Sequence, residues 1–363
     1  MKKIKIITLL TFVFLFAMLL MSACGGSDSD KKQGLMTENG NIVFYNDDGT
    51  LFTDGYKEVT TAGKTDYYFF KDNGTAFTSG YKTVKIDGAT YFFYFEDDGK
   101  AFTNGLKEVS FSTQTYLCYF AENGRALTSD WATINGAKYY FQSNGCAAKD
   151  TFLTIGNDLY YFDASGSVEN NGWFCVADGY YYANNSGVLS TSTVVEGYKL
   201  DANGKSTTKY RIVQLANAQI NDSMTNQQKI QAIYNWIMND KTMSYIRTYE
   251  HTSPSWVWKD SWVDDMAASL MDKWGGNCFR YAAFLGMLIR EATGLEVTVY
   301  HGDCTTTDGG TTPHGWITVK QDGTWYIYDV ELEKHANVAH SRCYKVLPSV
   351  STIHLNGVGT NLF

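Results

Sequence analysis

A glycine recurs along the first half of the chain at positions 49, 74, 99, 124, 145, 166, 187 and 204, in steps of 25, 25, 25, 21, 21, 21 and 17 residues. Each closes the same phrase, an aromatic run followed by a few polar residues. It reads Phe44-Tyr45-Asn46-Asp47-Asp48-Gly49, then Phe69-Phe70-Lys71-Asp72-Asn73-Gly74. It returns at Phe95–Gly99, Phe120–Gly124, Phe141–Gly145, Phe162–Gly166, Tyr182–Gly187 and Leu200–Gly204. So regular a period means a repeat architecture, here over residues 35–206. The Asp-Asn-Gly and Asp-Asp-Gly triplets have the chemistry of hairpin turns. Runs such as Tyr67-Tyr68-Phe69-Phe70 favour strands. One such hairpin cannot bury its aromatic face alone, so the expectation is an all-β solenoid of stacked hairpins. The acidic turns lack the alternating Asp spacing of a calcium loop, so no metal is expected.

These units resemble the cell-wall-binding repeats of Gram-positive surface proteins, the choline- and glucan-binding type. In choline-binding members, tryptophans and a tyrosine from neighbouring units box a quaternary ammonium. This array has only Trp131 and Trp173, with Tyr or Phe at most equivalent positions. The resemblance implies a wall carbohydrate or teichoic acid as the partner, held by the array as a whole through stacking.

The texture changes near Tyr210, and residues 207–363 read as a second domain. Thr225-Asn226-Gln227-Gln228 is a capping box. Ile230, Ile233, Tyr234 and Ile237 follow at helical spacing. A second helix is expected from about Gly275-Gly276-Asn277-Cys278, through Ala282, Leu285 and Leu288, to a C-cap at Gly294. Cys278 then sits at a helix N-terminus, where unpaired N–H groups and the dipole favour a thiolate. Further on, Asp322-Gly323 between Thr312–Lys320 and Trp325–Val330 signals a two-residue hairpin. That turn makes Gln321 face Thr324, Val319 face Tyr326 and Trp316 face Asp329. His314 shares the face of Trp316, so His314 and Asp329 become diagonal neighbours, roughly 7–8 Å apart at the backbone. A base with an orienting carboxylate and an upstream helix-start cysteine are the parts of a nucleophilic triad.

Gly276-Asn277-Cys278, His314-Gly315-Trp316 and Trp325 through Asp329 resemble, in that order, the motifs of the transglutaminase-like superfamily. The likeness covers roughly residues 225–333. It implies an α+β domain of papain-like type, with Cys278 as nucleophile, His314 as base then acid, and Asp329 as orienter. It also implies the Cys278 backbone N–H as one oxyanion donor; no second donor emerges from spacing. The implied activity is cysteine-dependent amide hydrolysis of a protein or peptide substrate, without a cofactor. Amine acceptors would make it a cross-linking transglutaminase. A domain without catalysis would leave a wall-binding or adhesion protein. His335, His340 and Cys343 fit no tight zinc spacing. His301 is expected in a loop after a strand ending at Tyr300. The six cysteines beyond Cys24 show no framework spacing, although a Cys304–Cys343 bridge is open.

At the other end, Met1-Lys2-Lys3 is basic, and Ile6 to Met21 is apolar apart from Thr8 and Thr11. Small residues around Cys24 follow, completing the pattern of a secretory signal over residues 1–23. Leu20-Met21-Ser22-Ala23-Cys24 resembles the lipobox of bacterial lipoproteins, which implies Cys24 as the site of lipid attachment. Residues 24–34 then read as a polar tether. The resulting expectation is an exported protein, anchored by lipid on the outer face of the membrane within the wall. A net charge of −8 and a pI near 5.3 exclude nucleic acid as a partner.

Overall fold

The computed structural model describes residues 31–111, 114–247, 257–306 and 308–362. The signal segment and Cys24 lie outside the described residues. The chain divides into two units, Met1–Leu127 and Thr128–Phe363.

The first unit holds four two-stranded antiparallel hairpins: Gly34–Glu38 with Asn41–Tyr45, Gly55–Thr61 with Lys64–Phe70, Gly80–Ile86 with Ala89–Phe95, and Gly105–Phe111 with Gln114–Phe120. The strands of a hairpin are joined not by the acidic triplets but by separate turns with two left-handed residues, such as Ala62-Gly63 and Asp87-Gly88. The acidic triplets come after the second strand. Their glycines have φ between 73° and 87° and turn the chain back into a single bridge, Phe70 to Ala76 or Phe95 to Ala101. That return strand then bonds the hairpin before it. The N–H of Ala76 donates to Ile42 O, that of Ala101 to Tyr67 O, and that of Ala126 to Phe92 O, each at 2.8 Å. One backbone bond per period therefore ties neighbouring hairpins, while Phe70, Phe93, Phe95 and Phe120 are fully buried between them.

The second unit begins with four more hairpins, from Asp130–Ile134 with Ala137–Phe141 to Thr193–Val195 with Tyr198–Leu200. Helix α1 (Thr207–Asn217) follows directly, its N-cap Ser206 still bonded to Tyr180 of the hairpins. Helix α2 (Asn226–Asn239) starts with the Thr225/Gln228 capping box, both reciprocal bonds being present. Helices α3 (Trp262–Lys273) and α4 (Cys278–Thr293) complete the main helical layer. They pack on a five-stranded antiparallel sheet of β1 (Val297–Thr305), β2 (Thr311–Gln321), β3 (Thr324–Tyr328), β4 (Tyr344–Val346) and β5 (His354–Leu362), in the order β4-β3-β2-β1-β5. Two short helices, α5 (Val330–His335) and α6 (His340–Cys343), lie between β3 and β4.

Strand alternation sorts the sheet into two faces. Val297, Val299, Ile317, Val319 and Tyr328 join Leu285, Leu288 and Ile289 of α4 in one core. Tyr300, Trp316, Thr318 and Ile327 face the other way. Helix α4 is apolar on nearly every side because it is buried all round.

The buried Asp264 of α3 accepts from Lys199 N at 3.1 Å and from Thr208 Oγ1 at 3.0 Å. Burial outweighs these bonds and pushes its carboxyl up to about 6. A raised folded pKa in an acid means that stability falls as pH climbs from the unfolded value through the folded one. Asp264→Asn keeps an acceptor and a donor for these partners. It should raise stability at neutral pH by roughly 1–3 kcal/mol, and by nothing in mild acid, where the carboxyl is already neutral. Thermal melts of both proteins at the two pH values check this.

Candidate active site

Cys278 is the first residue of α4, with Asn277 as N-cap accepting from Arg280 N. Its sulfur is 4.0 Å from Pro313 O, which sets it beside the start of the His314 strand. This seat depends on Gly315. A Cβ there would stand 2.9 Å from the Phe279 Cα and 3.2 Å from its N, so only glycine lets β2 approach the first turn of α4 this closely.

The hairpin register holds as counted from Gln321–Thr324 to Ile317–Tyr328. β3 stops there, and Asp329 leaves the strand to become the N-cap of α5, where Oδ1 accepts from Leu332 N at 3.1 Å. Its other oxygen is free to turn back. Oδ2 meets Nε2 of His314 at 2.6 Å, and both residues are buried, at 2% and 3% exposure. The backbone of Asp329 is also fixed, by Cys343 O at 2.8 Å and by the Tyr234 hydroxyl at 3.1 Å. The structure thus joins His314 and Asp329 directly and seats the Cys278 sulfur beside them, against the carbonyl of Pro313, the residue before His314.

Burial alone would lower the His314 pKa, but the Asp329 carboxylate and the Cys278 sulfur outweigh it and hold the imidazole well above its ordinary range. Asp329 is pushed up by burial and pulled down further by the two imidazoles it accepts from, so it stays well below the usual carboxylate range. An ionised carboxylate only accepts, so His314 Nε2 carries the proton of that bond, and Nδ1 lies 3.8 Å from Glu331 Oε2.

Three further residues belong to this site and were missed by motif and spacing. His354 of β5 gives its Nε2 proton to the same Asp329 oxygen at 2.9 Å, while its Nδ1 pairs with Ser351 Oγ at 2.9 Å. A register shift in the β1–β5 pairing puts it there. Leu362 opposes Val297 on the core face, and an unbroken register would aim His354 at the core as well. The shift beside Gly302 adds one residue to β5 and turns His354 to the face of His314. Glu331, in the first turn of α5, lies 3.8 Å from His314 Nδ1 and is pushed up to about 7 by burial, His314 opposing and Asp329 adding to the shift. Tyr245 is brought alongside by a two-residue parallel bridge, Ser244 to Gly275 and Tyr245 to Gly276, just ahead of Cys278. Its phenol is raised by burial and by the charges of Cys278 and Glu331. None of the three carries a local signal, since each is placed by tertiary pairing.

His301 lies within β1, which runs on to Thr305 because β5 pairs along it, and the ring stacks on Trp258 at 4.0 Å. Cys304 and Cys343 are both buried in one small cluster and both free. His335 pairs with the Tyr281 hydroxyl at 3.1 Å and His340 with Glu333 at 2.9 Å. Among the described residues, the one group with the geometry of metal donors is His314, Asp329 and His354. Its atoms already satisfy one another by hydrogen bonds.

In the first unit, each aromatic pair is covered by a lysine from the next hairpin. The Nζ of Lys57 lies over Phe44 and Phe52 at 4.6 and 5.1 Å, that of Lys82 over Phe69 and Phe77 at 4.2 and 5.1 Å, and that of Lys107 over Tyr94 and Phe102 at 4.5 and 4.8 Å. The chain's own ammonium thus occupies each of these three slots.

Residues 127–173 match the model of the choline-binding repeat, and residues 171–189 that of a cell wall binding repeat. The chain therefore carries repeats of the cell-wall-binding, choline-binding class. No curated protein matches it. Among solved structures, it is similar to choline-binding protein F from Streptococcus pneumoniae in the presence of a peptidoglycan analogue, at 27% identity and a TM-score of 0.36, covering 48% of this chain and 57% of that one. It is also similar to a choline-binding domain from the same organism, at 22% identity and a TM-score of 0.35, covering 48% of this chain and 86% of that one. The chain thus spans little more than half the length of choline-binding protein F.

Losing the His354 donor should matter, because a hydrogen bond to a buried charge contributes roughly 1.5–3 kcal/mol, about tenfold or more in an equilibrium. His354→Ala should slow alkylation of Cys278 by about that factor, and His354→Gln, which keeps an N–H, should recover part of it. Iodoacetamide labelling followed by mass spectrometry, run across a pH series, reads both.

Proposed function

We propose that this chain is a wall-associated cysteine hydrolase that cleaves amide bonds of a protein or peptide substrate through Cys278, His314 and Asp329. What supports the reading is the buried His314–Asp329 pair at 2.6 Å with the Cys278 sulfur seated 4.0 Å from Pro313 O, one residue before His314. The Cys278 sulfur, its proton already passed to Nδ1 of His314, attacks the amide carbonyl. The tetrahedral oxyanion takes the Cys278 backbone N–H as one donor. The neutral Tyr245 phenol, set beside Cys278 by the short bridge, is the second. His314 then protonates the departing amine, leaving a thioester on Cys278. Water, losing a proton to His314, resolves the thioester into a free acid and the restored thiol.

The repeats hold the enzyme at the wall by stacking on carbohydrate or teichoic acid. Export and a lipid on Cys24 complete the location in this reading. Papain-like architecture of the transglutaminase-like kind accounts for a helix-start cysteine seated against a His strand and an Asp that follows the next one.

The test is to reduce the purified protein and treat it with iodoacetamide. Cys278 should label faster than Cys304 or Cys343, and His314→Ala should remove the advantage. Peptide amides should then release amine with wild type and not with Cys278→Ala. Incorporation of an added primary amine in place of hydrolysis would make the enzyme a cross-linking transglutaminase. Equal labelling of the cysteines in both proteins, with no amine released, would leave a non-catalytic wall-binding or adhesion protein.

A further inference from the structure

The outer face of the sheet carries a pocket of about 320 Å³ that meets the acyl-transfer site only at His354. Thr318 and Ile327, paired across β2 and β3, lie on this face between its walls. Tyr300 and Trp316 form one wall, stacked on each other at 5.4 Å and 5°. Trp325 forms the opposite wall, and His354 and Asn356 add polar edges. Gly357 brings β5 against the first wall. Any Cβ there would come within 2.5 Å of Trp316 and 2.8 Å of Tyr300.

Two features point to an occupant. Thr318 is 5% exposed, and its hydroxyl has no hydrogen-bond partner. Its strand neighbour Thr298, by contrast, donates to Asn361 Oδ1 at 2.6 Å. A buried hydroxyl without a partner is costly, and native structures seldom leave one so. In addition, no Asp, Glu, Lys or Arg is among the lining residues.

We propose that this pocket binds a single neutral sugar ring. A pyranose offers an apolar C–H face to Trp325, its edge to the stacked Tyr300–Trp316 wall, and a rim of hydroxyls to Thr318 and Asn356, both ring nitrogens of His354 being already taken by Asp329 and Ser351. An apolar ring would leave the Thr318 hydroxyl unpaired. An anion would find only Lys320, which lies over Trp325 at 5.8 Å and is already paired with Glu296 at 2.7 Å, and a quaternary ammonium would find no carboxylate and no use for the hydroxyl. The volume stands at the lower end for small-molecule sites, roughly 300–1,000 Å³, which suits one ring and not a chain of them. The inference is independent of the acyl-transfer reading, since it uses neither Cys278 nor His314.

The test is saturation-transfer NMR on the full chain with N-acetylglucosamine as the probe. Transfer to the sugar is expected in the wild type. Trp325→Ala removes a wall and Thr318→Val the hydroxyl, and each should weaken binding by about fivefold or more, the worth of one hydrogen bond. Thr318→Ser restores the hydroxyl and should restore binding, which separates the effect from misfolding. No transfer to the wild type overturns the proposal. So does undiminished transfer to Trp325→Ala and Thr318→Val, because the sugar then sits elsewhere, on the repeats.

Discussion

A carboxylate almost wholly out of water organises the second unit. Asp329 is 2% exposed, a place where an isolated charge is expensive. It is tolerated because every face of the residue is engaged. One oxygen caps α5, the other takes protons from His314 and His354, and the backbone is held by Cys343 and Tyr234. These partners come from β2, β5, α2 and the segment before β4, so the charge can be satisfied only when the sheet and helices have assembled. The cost of burying Asp329 thereby selects one arrangement of the domain.

The array solves a different problem by different means. A two-stranded hairpin is marginal alone, and each one here is completed by its neighbours. The backbone bond from each return strand to the preceding hairpin sets the spacing, and aromatic rings fill the gap between them. The lysines over Phe44, Phe69 and Tyr94 then cover ring faces that stacking leaves open. With an ammonium already in place, those slots offer little to an external cation, and the two array tryptophans are covered in the same way, Trp131 by Lys138 and Trp173 by Lys209.

What was legible in the sequence was whatever repeats or acts locally. The glycine period gave the hairpins, the Thr225/Gln228 box opened α2, and Asp322-Gly323 set the register that carries His314 toward Asp329. The acidic triplets were misplaced within the repeat because two turns of similar chemistry alternate, and sequence does not say which joins the paired strands. Helices α1 and α3 were not anticipated, although Trp262, Val263, Met266, Ala267, Leu270 and Met271 of α3 are buried at helical spacing. His354 was out of reach for a firmer reason. Its face is decided by a one-residue shift in a strand pairing that spans more than fifty residues of sequence. A bulge of that kind leaves no trace in local propensity. Glu331 and Tyr245 are similar, since a carboxyl on a six-residue helix and a tyrosine in a two-residue strand are ordinary until tertiary contacts place them.

The end of the array is also not a linker. Tyr198 of the last hairpin is buried in the same core as α4, and its hydroxyl donates to Glu291 at 3.1 Å. Lys209 reaches Glu291 at 2.6 Å while lying over the rings of Trp173 and Tyr198 at 4.7 and 4.4 Å. Burial lowers the Lys209 pKa, and Glu291 offsets part of that effect. A buried ion pair of this kind adds little net stability, but breaking it strands a charge, so it resists separation of the last hairpins from the helices. Asp264 reinforces the joint by accepting from Lys199 N in the last hairpin. Within this unit, hairpins of the wall-binding class and the domain that carries Cys278 therefore form one body.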